Sequence, residues 1–276
     1  MKEKSKAKII AHVLLILCCV CTLIPCVFMV ITSIRTTEEI VQNGLFGNIR
    51  QIHFENYIEA WQIGRFSRYF LNSSIITGVS VVAVILFSLM GAYAFALQRF
   101  RGKKVFEMLV LMGLVVPLEI IIVPLYYDVQ NMHLMNTHWA VILPTVAMNL
   151  PFGIFLLAGF IKDIPSSLLE SAKMDGISDW QAIRYIIVPI IRAALISLLI
   201  FIFMWTWNSY MLPNIMIKTE AMRTLPLGLD FFRGKKSMNL PLVSAASVII
   251  SAPVVILYLI FQKNVIRGMM VGAVKG

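Results

Sequence analysis

Long apolar runs alternate with short polar connections along this chain, and most of the runs are too long to be the buried helices of a soluble core. Six of them, residues 9–34, 70–97, 105–127, 139–161, 190–211 and 242–261, have the length that carries an α-helix across a bilayer. The pattern predicts an all-α integral membrane protein, one transmembrane domain with six transmembrane helices and both termini on the same side. The first run follows the basic segment KEKSKAK but exceeds the 7–15 apolar residues of a secretory signal. It reads as a retained first helix with its amino end in the cytoplasm.

One polar island interrupts this pattern, residues 161–192 (IKDIPSSLLESAKMDGISDWQAIRYIIVPIIR). Pro165 suits the first turn of a helix, and Ser167 with Glu170 makes an S-x-x-E capping box that would serve the orphan amides of that turn. A helix to about Met174 would carry a narrow apolar stripe of Leu168, Leu169 and Ala172. Asp175 and Gly176 then stop it, glycine being suited to the left-handed conformation of a helix end. Ser178 and Gln181 form a second box, and Trp180, Ile183 and Ile187 line one face of a second helix. Pro189 should mark the start of the next membrane helix. The spacing therefore predicts a helix-turn-helix over residues 162–189, with a tail at 262–276.

Composition agrees with a bilayer environment. Hydrophobic residues make up 59% of the 276 and charged residues only 14%, with a mean hydropathy of +0.84. The net charge of +10 raises the question of nucleic acid, but Lys and Arg sit in segments flanking apolar runs and do not form one basic face. They read as a topology signal. The amino tail, the loop QRFRGKK, the polar island and the carboxyl tail hold 15 Lys and Arg, against 9 in the opposite loops, which assigns the first set to the cytoplasm.

The opposite side is expected to hold three loops. Residues 54–62 (FENYIEAWQ) space Phe54, Tyr57, Ile58 and Trp61 as a short interfacial helix would. His133 and His138 read as solvated loop residues, because they lack the partners a metal site requires. Residues 213–240, with Pro226, Gly228, Gly234, Lys235 and Lys236, read as an irregular exposed connection. The four cysteines, Cys18, Cys19, Cys21 and Cys26, all fall in the first apolar run and read as small packing residues.

Few ionisable residues fall inside the runs. Glu119 lies between Pro117 and Pro124, which should bend a membrane helix; it is either a pathway-lining carboxylate or one neutral or snorkelling near the outer surface. Trp205, Trp207 and Tyr210 suit an interfacial aromatic belt, and Asn208 would hydrogen-bond either to a neighbouring helix or to a hydroxylated solute. With Asn149 and Tyr126, the residues Glu119, Asn208 and Tyr210 form the candidate translocation path. Paired carboxylates, histidine clusters and nucleophile motifs are missing from the membrane faces, and no phosphate loop of the G-x-x-x-x-G-K-[ST] type occurs in the sequence. No catalytic or metal-binding residue is assigned, and nucleotide would have to be bound by a partner.

The segment ESAKMDGISDWQAIRYIIVP resembles the signature loop of the membrane subunits of ATP-binding-cassette importers, in which Glu-Ala-Ala, Asp-Gly and Ile-x-Leu-Pro recur at this spacing. Glu170, Ala172, Asp175, Gly176, Ile186 and Pro189 match, while Ser171 replaces an alanine and Val188 a leucine. PLY (124–126), NTHWAVILP (136–144), WNSY (207–210), TLPLGL (224–229) and the end GMMVGAVKG are similar to the carbohydrate subgroup, the maltose-type permeases of six helices. The segment NMHLM and Glu119 depart from it. The resemblance implies that residues 162–189 are a coupling helix docked in an ATPase subunit, with Glu170, Ser171, Ala172, Asp175, Gly176, Trp180, Ile183 and Pro189 as the contact or framework residues. It implies a permease subunit for a sugar or oligosaccharide in the plasma (inner) membrane, paired with a second permease as a heterodimer. Two cytoplasmic ATPase subunits carrying ATP and magnesium, and an extracytoplasmic solute-binding protein, would complete the assembly, and the tail would reach toward the ATPases. The rival reading is a stand-alone secondary carrier or channel, which would usually show more buried carboxylates or repeated broken helices.

Overall fold

The computed structural model describes residues 2–44, 47–49, 51–232 and 239–273, with side chains between residues 8 and 263, and its regular structure there is helical. In chain order the helices are α1 (Lys2–Ser33), α2 (Thr37–Asn43), α3 (Glu55–Ile63), α4 (Phe66–Leu97), α5 (Lys103–Met112), α6 (Leu118–Asn131) and α7 (Trp139–Lys162). They continue as α8 (Ser166–Met174), α9 (Asp179–Ala182), α10 (Val188–Ile190), α11 (Arg192–Trp207), α12 (Met211–Met216) and α13 (Leu240–Ala273). A π-helical turn, Ile183–Ile187, joins α9 to α10, and 3-10 turns cover Glu220–Met222 and Leu225–Phe232.

Four stretches are long and apolar enough to cross a bilayer: Lys8–Ser33, Phe66–Leu97, Trp139–Lys162 and Leu240–Lys263. At 1.5 Å per residue, the 32 residues of α4 reach about 48 Å and the 24 of α7 about 36 Å, both beyond a hydrocarbon core of about 30 Å. A fifth crossing exists if Asp179–Ile190 and Arg192–Trp207, bent by 83°, form one broken span. The run at 105–127 differs from expectation, being two helices, α5 and α6, separated by residues 113–117. Pro117 disfavours helical geometry in the residue before it and takes the N-cap of α6, whereas Pro124 is accommodated inside α6. Gly113 caps α5 and lies against α7, where an added Cβ would come within 2.8 Å of Pro151 Cγ.

The chain divides into two compact units, Met1–Ser67 with Gly228–Pro253 and Arg68–Leu227 with Val254–Gly276. In the first unit the apolar residues of α1 are exposed along its length, Leu15 by 68%, a surface suited to acyl chains. After α1 the chain turns on Arg35, which is wholly buried. Its Nη1 donates to the Gly44 carbonyl at 3.1 Å and its Nη2 to the Glu39 carbonyl at 3.2 Å. Asn56 Nδ2 donates to the carbonyls of Ser33 and Arg35, and Tyr57 shares a 2.7 Å hydrogen bond with Ser33, so α3 is fastened to the end of α1. Phe54, Ile58 and Trp61 stay exposed, as an interfacial helix requires. Gly228 is closely approached here: a Cβ on it would come within 2.5 Å of the Phe66 ring.

The core of the second unit is built from one contiguous set that includes Ile76, Val84 and Ala92 of α4, Leu157 and Ile161 of α7, and Leu198 and Ile202 of α11. Helices in lipid gain little from hydrophobicity and associate through close packing, and small residues provide it here. A Cβ on Gly153 of α7 would overlap the Ser88 hydroxyl of α4 and touch Leu198 Cδ2 at 3.4 Å. The loops sort into two groups. At one end Lys162 pairs with Glu107 at 3.9 Å, joining α7 to α5; at the other His138, before α7, bonds through Nε2 to Asn72 Oδ1 of α4 at 3.1 Å.

Candidate functional site

The polar island folds as a hairpin of α8 and α9. Its turn is a Schellman motif: the amide of Gly176 donates to the Lys173 carbonyl at 3.1 Å and that of Ile177 to the Ala172 carbonyl at 3.2 Å. The motif requires a left-handed residue after the cap, and Gly176 has φ of +77°. The second capping box forms as expected, with Gln181 N donating to Ser178 Oγ and Ser178 N to Gln181 Oε1 at 2.9 Å. The first does not. Pro165 takes the N-cap, where it has no side-chain acceptor, and Ser167 lies inside the helix.

The second arm also differs from expectation. Ile183 and Ile187 are buried, but Trp180 is 58% exposed. Trp180 precedes the π-turn, whose i→i+5 ladder rotates the following residues relative to an α-helical period. The same wide turn accommodates Pro189, which sits inside α10 without starting the next long helix. The break falls two residues later, at Ile191 (φ −90°, ψ 16°), and α11 begins at Arg192.

The hairpin faces inward with Ala172, Ala182, Ile183 and Ile187, all buried, and half-buries Leu169. Its outward surface holds Glu170, Ser171, Asp175 and Gly176 together with uncovered apolar side chains: Leu168, Trp180 and Met174, the last 88% exposed. Of the eight residues expected to couple, five are therefore on this surface, Ala172 and Ile183 anchor it from within, and Pro189 is exposed beyond the π-turn. Asp179 faces α4: its Oδ1 accepts from the Tyr93 hydroxyl at 2.6 Å and its Oδ2 from Gln98 Nε2 at 3.4 Å.

Of the proposed path residues, Asn149 alone lines a cavity of about 450 Å³ beside the α5–α6 break. Thr145, Thr206 and Ser209 supply its other polar groups, and Phe152 and Trp205 meet edge to face at 4.9 Å on its wall. Such a mixture of hydroxyl, amide and ring surfaces suits a hydroxylated solute. Glu119 is exposed in the first turn of α6, Tyr126 is half-buried against Tyr127, Asn208 is exposed at the end of α11, and Tyr210 is exposed before α12. Trp207 is not part of an interfacial belt. It is 2% exposed, stacked on Phe203 at 5.4 Å and edge-on to Phe70.

A further constellation escaped the sequence reading. Residues 213–232 are not an irregular exposed loop: Pro213, Met216, Ile217, Leu225 and Leu227 are buried. Asn136, at φ +60°, accepts with Oδ1 from the amides of Lys218 (2.5 Å) and Thr219 (2.9 Å). Asn72 Nδ2 donates to the carbonyls of Ala221 and Arg223, and Ser73 Oγ accepts from Leu225 N at 2.8 Å. His138 belongs to this network and is not a solvated loop residue; burial pushes its imidazole below the ordinary histidine value. Gly234, Lys235 and Lys236 lie outside the described residues, as do the side chains of the tail from residue 264.

Membrane-length helices, a polar hairpin presented outside them and a cavity of mixed polar and apolar lining beside a broken helix are features of a multi-pass membrane transport protein. Residues 84–271 match the family model described as "Binding-protein-dependent transport system inner membrane component". The chain belongs to that family, the permease subunits of ATP-binding-cassette importers. It is 33% identical over 253 residues to a putative ABC transporter permease protein, ORF2, of Caldicellulosiruptor sp. (strain Rt8B.4), covering 92% of each chain. It is 32% identical over 258 residues to the diacetylchitobiose uptake system permease protein NgcG of Streptomyces coelicolor, covering 93% of this chain and 85% of that one. It shares the fold of a chain in the crystal structure of a bacterial ABC transporter involved in the import of alginate, with a TM-score of 0.82 at 22% identity over 95% of this chain and 98% of that chain.

Proposed function

We propose that this chain is the membrane-spanning subunit through which a sugar or oligosaccharide enters the cell, driven by ATP hydrolysis in partner subunits docked on the α8–α9 hairpin. The observation that carries the proposal is the outward face of the hairpin. Leu168, Met174 and Trp180 are apolar side chains left uncovered on a polar segment outside the membrane-length helices, beside Glu170 and Asp175. A face of that composition is the kind that a protein partner buries. Counting α5 with α6 as one crossing and α11 as another gives six spans; on this reading both termini and the hairpin lie in the cytoplasm, which the excess of Lys and Arg in those segments supports. ATP and magnesium belong to two ATPase subunits, and a second permease completes the path as a heterodimer. An extracytoplasmic binding protein delivers the solute, and the carboxyl tail extends toward the ATPases. The cavity holding Asn149 then lies along the path, where hydroxyl and amide groups exchange hydrogen bonds with a saccharide as it passes.

The test is import of radiolabelled diacetylchitobiose and of a panel of neutral oligosaccharides into proteoliposomes holding the whole assembly. Import that requires ATP and is lost, together with the ATPase subunits, in Glu170→Lys is the expected result. ATP-independent uptake by the chain alone would establish a stand-alone carrier instead.

A further inference from the structure

We infer that Tyr93, assisted by Gln98, is a positioning residue that ties the hairpin to α4 and makes α4 the helix that the docked hairpin drives. The inference rests on the docking role proposed above and adds the route by which movement enters the bundle.

Besides its apolar contacts, the hairpin is joined to the rest of the second unit by its two chain connections and by a side-chain tie. Toward α7 the chain passes through a short turn at 163–165. Toward α11 it passes the π-turn, the three residues of α10 and the break at Ile191, where the direction changes by 83°. A π-turn and a break absorb displacement, so this covalent route is a poor lever. The third connection is not covalent. Tyr93 lies four residues before the end of α4 and is 7% exposed, and its hydroxyl donates to Asp179 Oδ1 at 2.6 Å, a charge-assisted bond. Gln98 Nε2, just past the end of α4, reaches Oδ2 of the same carboxylate and the Tyr93 oxygen, both at 3.4 Å.

Asp179 is itself fixed. It is the first residue of α9, directly after the Ser178 cap, so both ends of the tie belong to ordered helix. The apolar contacts of Ile183 and Ile187 hold the hairpin against the core. Such contacts are non-directional and permit sliding, whereas the Tyr93–Asp179 bond fixes a distance and an angle. On the other side of the tie stands α4, which continues for 32 residues without a proline. At its far end Asn72 and Ser73 hold the loop from Ala221 to Leu225. A displacement of the hairpin would thus be delivered by a rigid rod to the opposite face of the protein.

The experiment uses the assembled importer with the four native cysteines replaced by serine and spin labels at Ser167→Cys on α8 and Met90→Cys on α4. The distance between the labels is measured without nucleotide and after trapping with ATP and vanadate. In the otherwise unaltered protein one narrow distance is expected in both states, because hairpin and α4 move together. Tyr93→Phe and Asp179→Ala should each broaden the distribution and shift it by several ångströms on trapping, while the ATPase subunits stay bound. Asp179→Asn, which keeps an acceptor for the Tyr93 hydroxyl, should restore the narrow distance. The tie is refuted if both disruptive variants match the unaltered protein, or if the unaltered protein itself shows the shift. Glu170→Lys separates the two readings. Loss of the ATPase subunits in that variant leaves the docking role standing whatever Tyr93 does, and their retention overturns the docking role and the tie with it.

Discussion

Replacing Gly176 by valine should weaken docking of the ATPase subunits by roughly 5–30-fold, and the reason is conformational. Gly176 adopts φ +77°, a left-handed conformation that costs an L-residue about 1–2 kcal/mol. Beyond the glycine and its two chain neighbours, no atom lies within 4 Å of the position a Cβ would take, so overlap with the surrounding structure adds nothing to that local cost. The penalty falls on the Schellman turn and hence on the angle between α8 and α9. If the turned hairpin is the form that docks, a penalty of about 1–2 kcal/mol lowers its population, and the apparent affinity, by about 5–30-fold. Gly176→Asn should lose much less, because asparagine tolerates the left-handed region. The assay is titration of purified ATPase subunits onto the permease pair held in nanodiscs, with Kd as the readout. Unchanged affinity in Gly176→Val would refute the reasoning. Equal damage from asparagine and valine would also refute it, since that would make the added side chain, and not φ, the cause.

Other substitutions probe other parts of the structure. Asn136→Ala leaves the amides of Lys218 and Thr219 without their acceptor and should cost about 1–3 kcal/mol, read as a lower Tm, with Asn136→Asp milder. Because burial depresses the His138 pKa, its folded form resists protonation. Stability from this site is complete above the unfolded value of about 6.5 and is lost as pH falls through the lower folded value, so a Tm profile between pH 7 and 5 should slope downward toward acid and flatten in His138→Gln. Gly153→Val forces a side chain into Ser88 and Leu198 and should destabilise by about 1–3 kcal/mol, whereas Gly159→Val on the same helix, with open space at its Cβ position, should leave thermal stability unchanged. Asn149→Ala should alter sugar import while the ATPase subunits remain bound, and unaltered import would remove Asn149 from the path.

The features legible in the sequence were those whose partners lie within a few residues. The Ser178–Gln181 box and the Gly176 turn close over distances of three to five residues, so residue type at fixed spacing is sufficient information. The Ser167–Glu170 box had equally good spacing and still did not form, because Pro165 took the N-cap first and set the register of α8. Membrane-length runs were legible for a related reason, since lipid forces each stretch of backbone to satisfy its own hydrogen bonds. That local rule gave α1, α4, α7 and α13.

What the sequence left unread depends on partners far along the chain. Arg35 counted only as a loop charge, yet it is buried beneath α2 because main-chain carbonyls converge on it. Asn136 meets amides 82 and 83 residues away, and Trp207 found Phe70 and Phe203 where an interfacial ring was expected. The break at Ile191 had no residue of its own to announce it, whereas the one before Pro117 did. By itself the sequence determined that the chain lives in a membrane, where four of its long helices run and that a polar hairpin interrupts them, since hydropathy and capping are properties of neighbouring residues. Only the tertiary structure decided which side chains of that hairpin face outward, which helix holds it and which amide lines the cavity. Those follow from packing between segments distant in sequence, which no local pattern encodes.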